Sequence, residues 1–240
     1  MTAAVRSIAE RVGSLDWPAV TSTMDDLGVA DAGKVLDART SRAIRGLYMD
    51  DERFRSTIDM ARHRYGQGEY RYFARPLPDV VDELRHAFWP HLLPIAREWA
   101  DRHGDPVPWP DDLDAWLTTC HQAGQQRPTP LMLRYGPGDW NALHRDLYGE
   151  LVFPLQVVIG LDRPGADYQG GELVLVEQRP RAQSRAIVLA VPQGHAVVVT
   201  TRDRPVRSKR GWTRSPMRHG ASVIRSGHRH MLGLIFHDAA

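Results

Sequence analysis

The chain has 240 residues, 42% of them hydrophobic and 25% charged, with a formal net charge of +2. That length is enough to bury a core of its own, and the longest apolar runs, such as "AIVLAV" from Ala186, are far too short to cross a bilayer. A single cysteine, Cys120, excludes an internal disulfide, a Cys-rich zinc site and a cysteine-held cluster, so any metal must be held by histidines and carboxylates.

The amino-terminal stretch "MTAAVRSIAERVGSLDW" has charges spaced through it and no continuous apolar core, unlike a signal peptide, so a cytoplasmic location and no membrane partner are expected. "AAVRSIAERVGSL" places Val5, Ile8, Val12 and Leu15 at helical spacing. "DWPAVTSTMDDLG" starts with an Asp cap and a first-turn proline and stops at Gly28, and a third helix fits "DAGKVLDARTSRAIRGLY". Three short helices raise the possibility of a helix-turn-helix DNA reader, but the face expected to enter the groove is not basic. Next, "STIDMARHRYGQGEYRYFARPLP" has two short runs flanking "GQG", which predicts a hairpin with aromatic and arginine side chains on its second arm. "DVVDELRHAFWPHLLPIAREWADRHG" and "PDDLDAWLTTCHQAG" return to helix, each opened by Asp and closed by Gly.

From Thr129 onward the pattern changes. "TPLMLRYG", "VFPLQVVIGL", "GELVLV", "RAIVLAV", "GHAVVVTT", "MRHGASVIR" and "RHMLGLIFH" are short, rich in Val, Ile and Leu, and separated by Gly, Pro or charged loops. Such spacing predicts a sandwich or barrel of roughly eight strands. The expected organisation is an α+β chain: residues 1–128 form a mainly helical region with a short β-hairpin, packed on a β-core of residues 129–240 as one integrated unit. Charge divides the same way. Residues 1–128 carry 16 Lys/Arg against 20 Asp/Glu, a balance of −4, and residues 129–240 carry 15 against 9, a balance of +6. Much of that excess lies between Arg202 and Arg218, where Asp203 is the single acid. The cluster reads as a solvated loop or as an electrostatic site for an anionic substrate or a nucleic-acid backbone, and it runs directly up to His219, which would put its tip near the mouth of any pocket there.

"YGPGDWNALHRDLYGELVFPLQ" carries the chemistry. His144 and Asp146 are two residues apart, and in an extended segment such positions project from one face, so an imidazole and a carboxylate can converge on one ion. A third ligand from a later strand would complete a two-His, one-carboxylate set with open positions. The candidates are His195, His219, His228, His230 and His237. The only other His-x-Asp pair, His103 and Asp105, sits at a helix end where Gly104 stops the helix and Pro106 prevents its resumption, which gives it a structural explanation.

Taken in order, Tyr135, then His144 and Asp146, then His219, then Arg229 ten residues on, resemble the Fe(II)/2-oxoglutarate-dependent dioxygenases, the group that includes prolyl hydroxylases and AlkB-like nucleic-acid dealkylases. "QGGELVLV", "VPQGHAVVV" and "RHMLGLIFHDA" are similar to later strands of prolyl hydroxylases, and the resemblance covers residues 129–240. It further resembles a bacterial group of these oxygenases for which nucleic-acid modification has been suggested by analogy.

The resemblance implies a double-stranded β-helix (jelly-roll, cupin-like) core. Fe(II) would be held by His144, Asp146 and His219, with 2-oxoglutarate and O2 as cosubstrates. It also implies that Arg229 pairs with the far carboxylate of 2-oxoglutarate, that Tyr135 and Gln156 contact the cosubstrate, and that Asn141 faces the iron pocket. An always-charged arginine fork suits that carboxylate, and strand alternation puts His228 and His230 on the face opposite Arg229. Related enzymes often roof the iron with amino-terminal strands, which makes Arg64, Tyr70, Arg71 and Tyr72 substrate candidates beside Tyr65. The implied reaction is hydroxylation or oxidative demethylation of a C–H bond with release of succinate and CO2. Asp146, the carboxylate that related halogenases lack, favours that outcome over halogenation. The substrate class stays open among a small metabolite or amino acid, a peptidyl residue and a nucleic-acid base. The alternative is a non-catalytic nucleic-acid-binding β-barrel.

Overall fold

Helix boundaries fall where the side chains provide caps. In the computed structural model, which describes residues 6–146, 148–179 and 182–240, Ser7 and Glu10 close a capping box at α1 (Ile8–Gly13). Asp16 caps α2 (Trp17–Leu27), which Gly28 ends in the left-handed conformation. Strand β1 (Val29–Lys34), α3 (Ala38–Gly46), β2 (Phe54–Asp59), the one-turn α4 (Met60–His63), β3 (Gly66–Gln67) and β4 (Glu69–Phe73) follow. Then come α5 (Asp79–His103) and α6 (Leu113–Gln122), the latter capped by Asp112. The remaining strands are β5 (Leu131–Tyr135), β6 (Trp140–His144), β7 (Leu155–Gly160), β8 (Tyr168–Gly170), β9 (Leu173–Glu177) and β10 (Arg185–Leu189). Last are β11 (His195–Thr200), β12 (Asp203–Ser208), β13 (Gly211–Ala221), β14 (Ile224–Gly227) and β15 (Arg229–Ile235).

One antiparallel sheet has the order β1-β11-β7-β15-β5-β4-β2, and a second has β10-β9-β13-β6-β3 with β12 attached to β13; β14 and β8 form a small pair of their own. The two large sheets face each other. Val197, Val199 and Met231 of the first share a buried cluster with Leu173, Leu175 and Met217 of the second. The seven-stranded sheet is covered on both sides, so its strands are apolar throughout while alternate residues serve different layers. On β7, Leu155, Val157 and Ile159 join the helical layer, whereas Gln156 and Val158 face the space between the sheets. On β15, Leu232 and Leu234 do the former, and Arg229, Met231 and Gly233 the latter. α5 is the main partner of the outer face through Leu84, Phe88, Leu92, Ile95 and Trp99. Trp116 of α6 donates its indole N–H to the Phe236 carbonyl at 2.7 Å. No helix among the described residues is long and apolar enough to cross a membrane.

Several expected elements differ. Residues 31–34 are not the start of a third helix: they belong to β1, paired with β11 through a bulge between Asp31 and Gly33, and the helix begins only at Ala38 after the Asp37 cap. Pairing with a Val-rich neighbour outweighs local helical periodicity there. β2 and β4 do pair as a hairpin, but "GQG" is not its turn. α4 and β3 lie between the two arms, and β3 leaves for the second sheet, with Gly66 opposite Asn141. The basic stretch after Arg202 is no loop either. β12 and β13 form a hairpin whose two-residue turn is Lys209-Arg210, with Ser208 opposite Gly211. It packs beside α5, where Arg214 pairs with Asp105 and Arg102 lies over the Trp212 ring. Its tip is therefore directed away from the cavity that contains His219.

Candidate metal and cosubstrate site

β6 and β13 set two imidazoles side by side. His144 is the last residue of β6 and is the direct partner of His219 across the antiparallel pair, with ring centroids 4.4 Å apart. The strands approach closely at the next residue. A Cβ on Gly220 would lie 2.5 Å from the Asn141 carbonyl oxygen, so only glycine lets β13 continue past β6 here. Asp146 follows just beyond β6. Its Oδ1 lies 3.4 Å from His144 Nε2 and its Oδ2 3.0 Å from His219 Nε2. One donor atom from each of the three residues falls within 4.8 Å of the others, a spacing that could hold a metal ion.

The details suit a cation. His144 Nδ1 lies 2.7 Å from the Ala142 carbonyl oxygen. A carbonyl only accepts, so Nδ1 carries the proton and Nε2 keeps its lone pair for a metal. Burial alone would push the Asp146 carboxyl up, but without a metal the positive charge of protonated His219 and His144 beside it holds it well below the usual carboxylate range, a place that a bound cation would take. Tyr148 donates its hydroxyl to Asp146 Oδ1 at 2.8 Å. The Gln156 side-chain amide nitrogen is 3.1 Å from His219 Nε2.

The three residues open onto a cavity of about 350 Å³ between the sheets. At its other end Tyr135 and Arg229 are register partners on β5 and β15, with the guanidinium carbon 5.7 Å from the phenol ring centroid. Both are buried, and neither Tyr135 Oη nor Arg229 Nε has a hydrogen-bond partner among the described residues. Unpaired buried donors are costly. A carboxylate placed there would satisfy both. Gly171 in "QGGELVLV" leaves the room: its left-handed backbone excludes a side chain, and a Cβ there would come within 2.8 Å of Arg229 Cδ. Leu131, Leu133, Val158 and Met231 make an apolar wall, and Asn141 also lines the space.

Of the residues singled out on the amino-terminal strands, Tyr70 lines the cavity, and Tyr72 lies behind it against Tyr148, with ring centroids 6.1 Å apart. Tyr65 forms part of the mouth. Arg64 and Arg71 lie outside the cavity. Arg64 is the exposed left-handed cap of α4. Arg71 alternates with Tyr70 and Tyr72 on β4, so it faces the other side of the sheet, where it pairs with Asp51 at 2.6 Å over the Tyr48 ring. Among the other histidines, His230 turns away to hydrogen-bond Asp162 at 2.7 Å. Two lining residues had no signal in the sequence reading. Arg145, the middle residue of the His-x-Asp pair, lines the cavity and donates to the Met217 carbonyl at 3.3 Å. Tyr148 could have been suspected only from its place two residues after Asp146.

Residues 68–239 match the model of the Oxygenase-NA family, described as an oxygenase catalysing oxidative methylation of damaged DNA. The chain belongs to the Oxygenase-NA family. Two uncharacterized proteins from two strains of Mycobacterium tuberculosis are 64% identical to it over 168 residues, which is 70% of this chain and 72% of each of theirs. Among solved structures, a Pseudomonas putida prolyl-4-hydroxylase superposes with a TM-score of 0.54 at 14% identity, covering 93% of this chain and 99% of that one. A 2OG-Fe(II) oxygenase family oxidoreductase from Burkholderia pseudomallei gives 0.53 at 15% identity over 95% and 93% of the two chains. A Trichoplax adhaerens prolyl hydroxylase, solved with a peptide fragment of the hypoxia inducible factor oxygen degradation domain, gives 0.55 at 14% over 98% and 93%. At these identities the likeness is one of fold, the double-stranded β-helix. With that fold, an oxygenase family and the His–Asp–His set, the Oxygenase-NA chain is an Fe(II)- and 2-oxoglutarate-dependent oxygenase.

Proposed function

We propose that this Oxygenase-NA protein oxidises a methyl carbon on a nucleic-acid base, with His144, Asp146 and His219 holding Fe(II) and with Arg229 and Tyr135 receiving the far carboxylate of 2-oxoglutarate. The metal and O2 supply the oxidation: 2-oxoglutarate goes to succinate and CO2 with one oxygen atom, and the other enters the substrate C–H bond as a hydroxyl. Hydroxylating a methyl group on nitrogen gives a hemiaminal, which releases formaldehyde, so the chemistry available on such a base is demethylation.

The protein's own part is placement and insulation. Tyr148 keeps the Asp146 carboxylate turned toward the imidazoles, Gln156 and Asn141 border the cosubstrate position, and the apolar wall of Leu131, Leu133, Val158 and Met231 keeps water from the arginine end. The observation that carries the substrate reading is the open mouth beside the metal position. The His144 side chain is 34% exposed, and Tyr70 and the exposed Tyr65 line the same cavity, aromatic side chains of the kind that stack on an unstacked base. The family description points to the same substrate class.

The test is substrate-stimulated succinate release with Fe(II), 2-oxoglutarate and O2. It compares an oligonucleotide bearing N-methylated bases with a proline-containing peptide and with free amino acids. Stimulation by the methylated oligonucleotide is expected. Stimulation by the peptide or the amino acids alone would contradict the reading, and binding of nucleic acid without any succinate would favour a non-catalytic module.

A further inference from the structure

Arg145 just after β6, Arg218 on β13, Arg207 on β12 and Lys209 and Arg210 in the turn between β12 and β13 have no carboxylate within ion-pair distance among the described residues. The other arginines of this stretch are spent. Arg202 pairs with Asp203, Arg204 with the buried Glu177, and Arg214 with Asp105. Arg145 lines the cavity and is fastened to β13 through the Met217 carbonyl. Arg218 is exposed one residue before His219, on the outer face of β13, so a strand leaving the cavity mouth reaches it by passing over the edge beside Arg145. Arg207, Lys209 and Arg210 are exposed at the far end, where Arg207 lies 5.2 Å over Trp212, itself 40% exposed.

Uncompensated cations repel one another, and holding several on neighbouring strands and their turn is unfavourable unless an anion lies against them. β13 spans eight residue steps from Gly211 to His219, about 26 Å at the usual strand rise. An isolated phosphate or a small acid touches one such charge. A chain of phosphates touches all of them.

We propose that the β12–β13 hairpin and Arg145 form a backbone track, which holds the phosphodiester chain of a nucleic acid that runs from the cavity mouth to the Lys209-Arg210 turn. The proposal rests on the base-oxidation reading and deepens it. The base enters the cavity between Tyr65 and Tyr70, while the hairpin binds phosphates about eight duplex steps away at ~3.4 Å per step. Binding at the turn is indifferent to sequence and sensitive to salt, because its energy comes from counterion release.

The experiment measures binding of fluorescent oligonucleotides, from four to sixteen nucleotides or base pairs, across a salt series. It uses the full-length wild type and the triple variants Arg207→Glu/Lys209→Glu/Arg210→Glu and Arg207→Gln/Lys209→Gln/Arg210→Gln. Thermal unfolding and 2-oxoglutarate binding serve to show that each variant is folded. For the wild type, affinity should rise with length until the track is filled. The Glu variant should bind long oligonucleotides at least ~10-fold more weakly at low salt, and its salt slope should fall by about 2 to 3 for three lost phosphate contacts. Four-nucleotide substrates should be turned over as by wild type.

Unchanged affinity and slope in a folded triple variant would overturn the track and leave the base-oxidation reading standing. So would a wild type that oxidises methylated four-mers yet binds no longer oligonucleotide more tightly. Equal, hairpin-dependent binding of poly-L-glutamate would overturn the nucleic-acid assignment of the surface. Failure of the base-oxidation reading has a different signature, namely no succinate from any methylated oligonucleotide.

Discussion

At the scale of single residues the site divides into parts with separate tests. Arg229 is a buried cation whose Nε has no partner among the described residues, so truncating it should cost the cosubstrate a charge-assisted contact and leave the metal position intact. Arg229→Ala is expected to raise the Kd for 2-oxoglutarate by about 30-fold or more, from the ~2–5 kcal/mol typical of a lost buried charge contact, with little change in metal affinity. Titration of each ligand separately checks this, and equal loss of both would point to misfolding instead. Tyr148 acts through Asp146 and is a positioning residue. Removing its hydroxyl in Tyr148→Phe should weaken Co(II) or Fe(II) binding by about 10-fold, the lower end of what a lost contact to a metal ligand costs, and should shift the visible spectrum of the Co(II) form. An unchanged spectrum would mean that the Tyr148–Asp146 bond does not orient the carboxylate. His144, Asp146, His219, Tyr135 and Arg229 were legible in the sequence as an ordered set of residue types. Tyr148 and Arg145 were not, because a position between or beyond ligands has no spacing rule of its own.

At the scale of elements, legibility followed burial. β7, β11 and β15 are covered on both faces and read as apolar runs. β6 did not read as a strand: Trp140 and Leu143 on it are exposed, Gly136 and Gly138 precede it, and the bulge opposite His219 and Ala221 breaks the alternation that identifies strands. β1 was hidden because six residues of mixed polarity declare themselves only by pairing with β11. β12 was hidden by its arginines and its proline, which suit an edge strand. The β6–β13 junction also yields a prediction. Gly220→Ala places a methyl against the Asn141 and Ala142 carbonyls, and such overpacking against backbone should cost roughly 1–3 kcal/mol while separating His144 from His219. Chemical denaturation and metal titration should both report it. A variant that loses stability but binds metal normally would show that the strand contact does not set the imidazole spacing.

On the scale of the whole molecule, the two sheets do different work. The seven-stranded sheet joins the helical layer to the cavity, and the second sheet brings the histidines together at its centre and the cationic hairpin at its flank. The fold class was readable because the strand runs after Thr129 are short and regularly spaced, and the β2–β4 pair was readable as a local hairpin; β1 was not, because its partner β11 lies far along the chain. Where the outer layer meets the end of the chain, His237 is fully buried, accepts the Phe153 backbone N–H on Nδ1, and has its imidazole pushed down by burial to about 4. A folded-state value below the ordinary 6.5 means that the unfolded chain binds the proton first. Stability is therefore complete above pH 6.5 and lost as pH falls toward 4, by about 3 kcal/mol for this one group. Urea denaturation at a series of pH values should show that slope in the wild type and a shallower one in His237→Gln. Equal slopes would assign the acid sensitivity to other groups.

An iron and 2-oxoglutarate site that demethylates a base makes two products in one turnover, and the most direct measurement counts both. Formaldehyde and succinate should appear in equal amounts from an N-methylated oligonucleotide with the wild type, and neither should appear with His219→Ala. Succinate that is unaffected by the oligonucleotide, with no formaldehyde, would contradict the account.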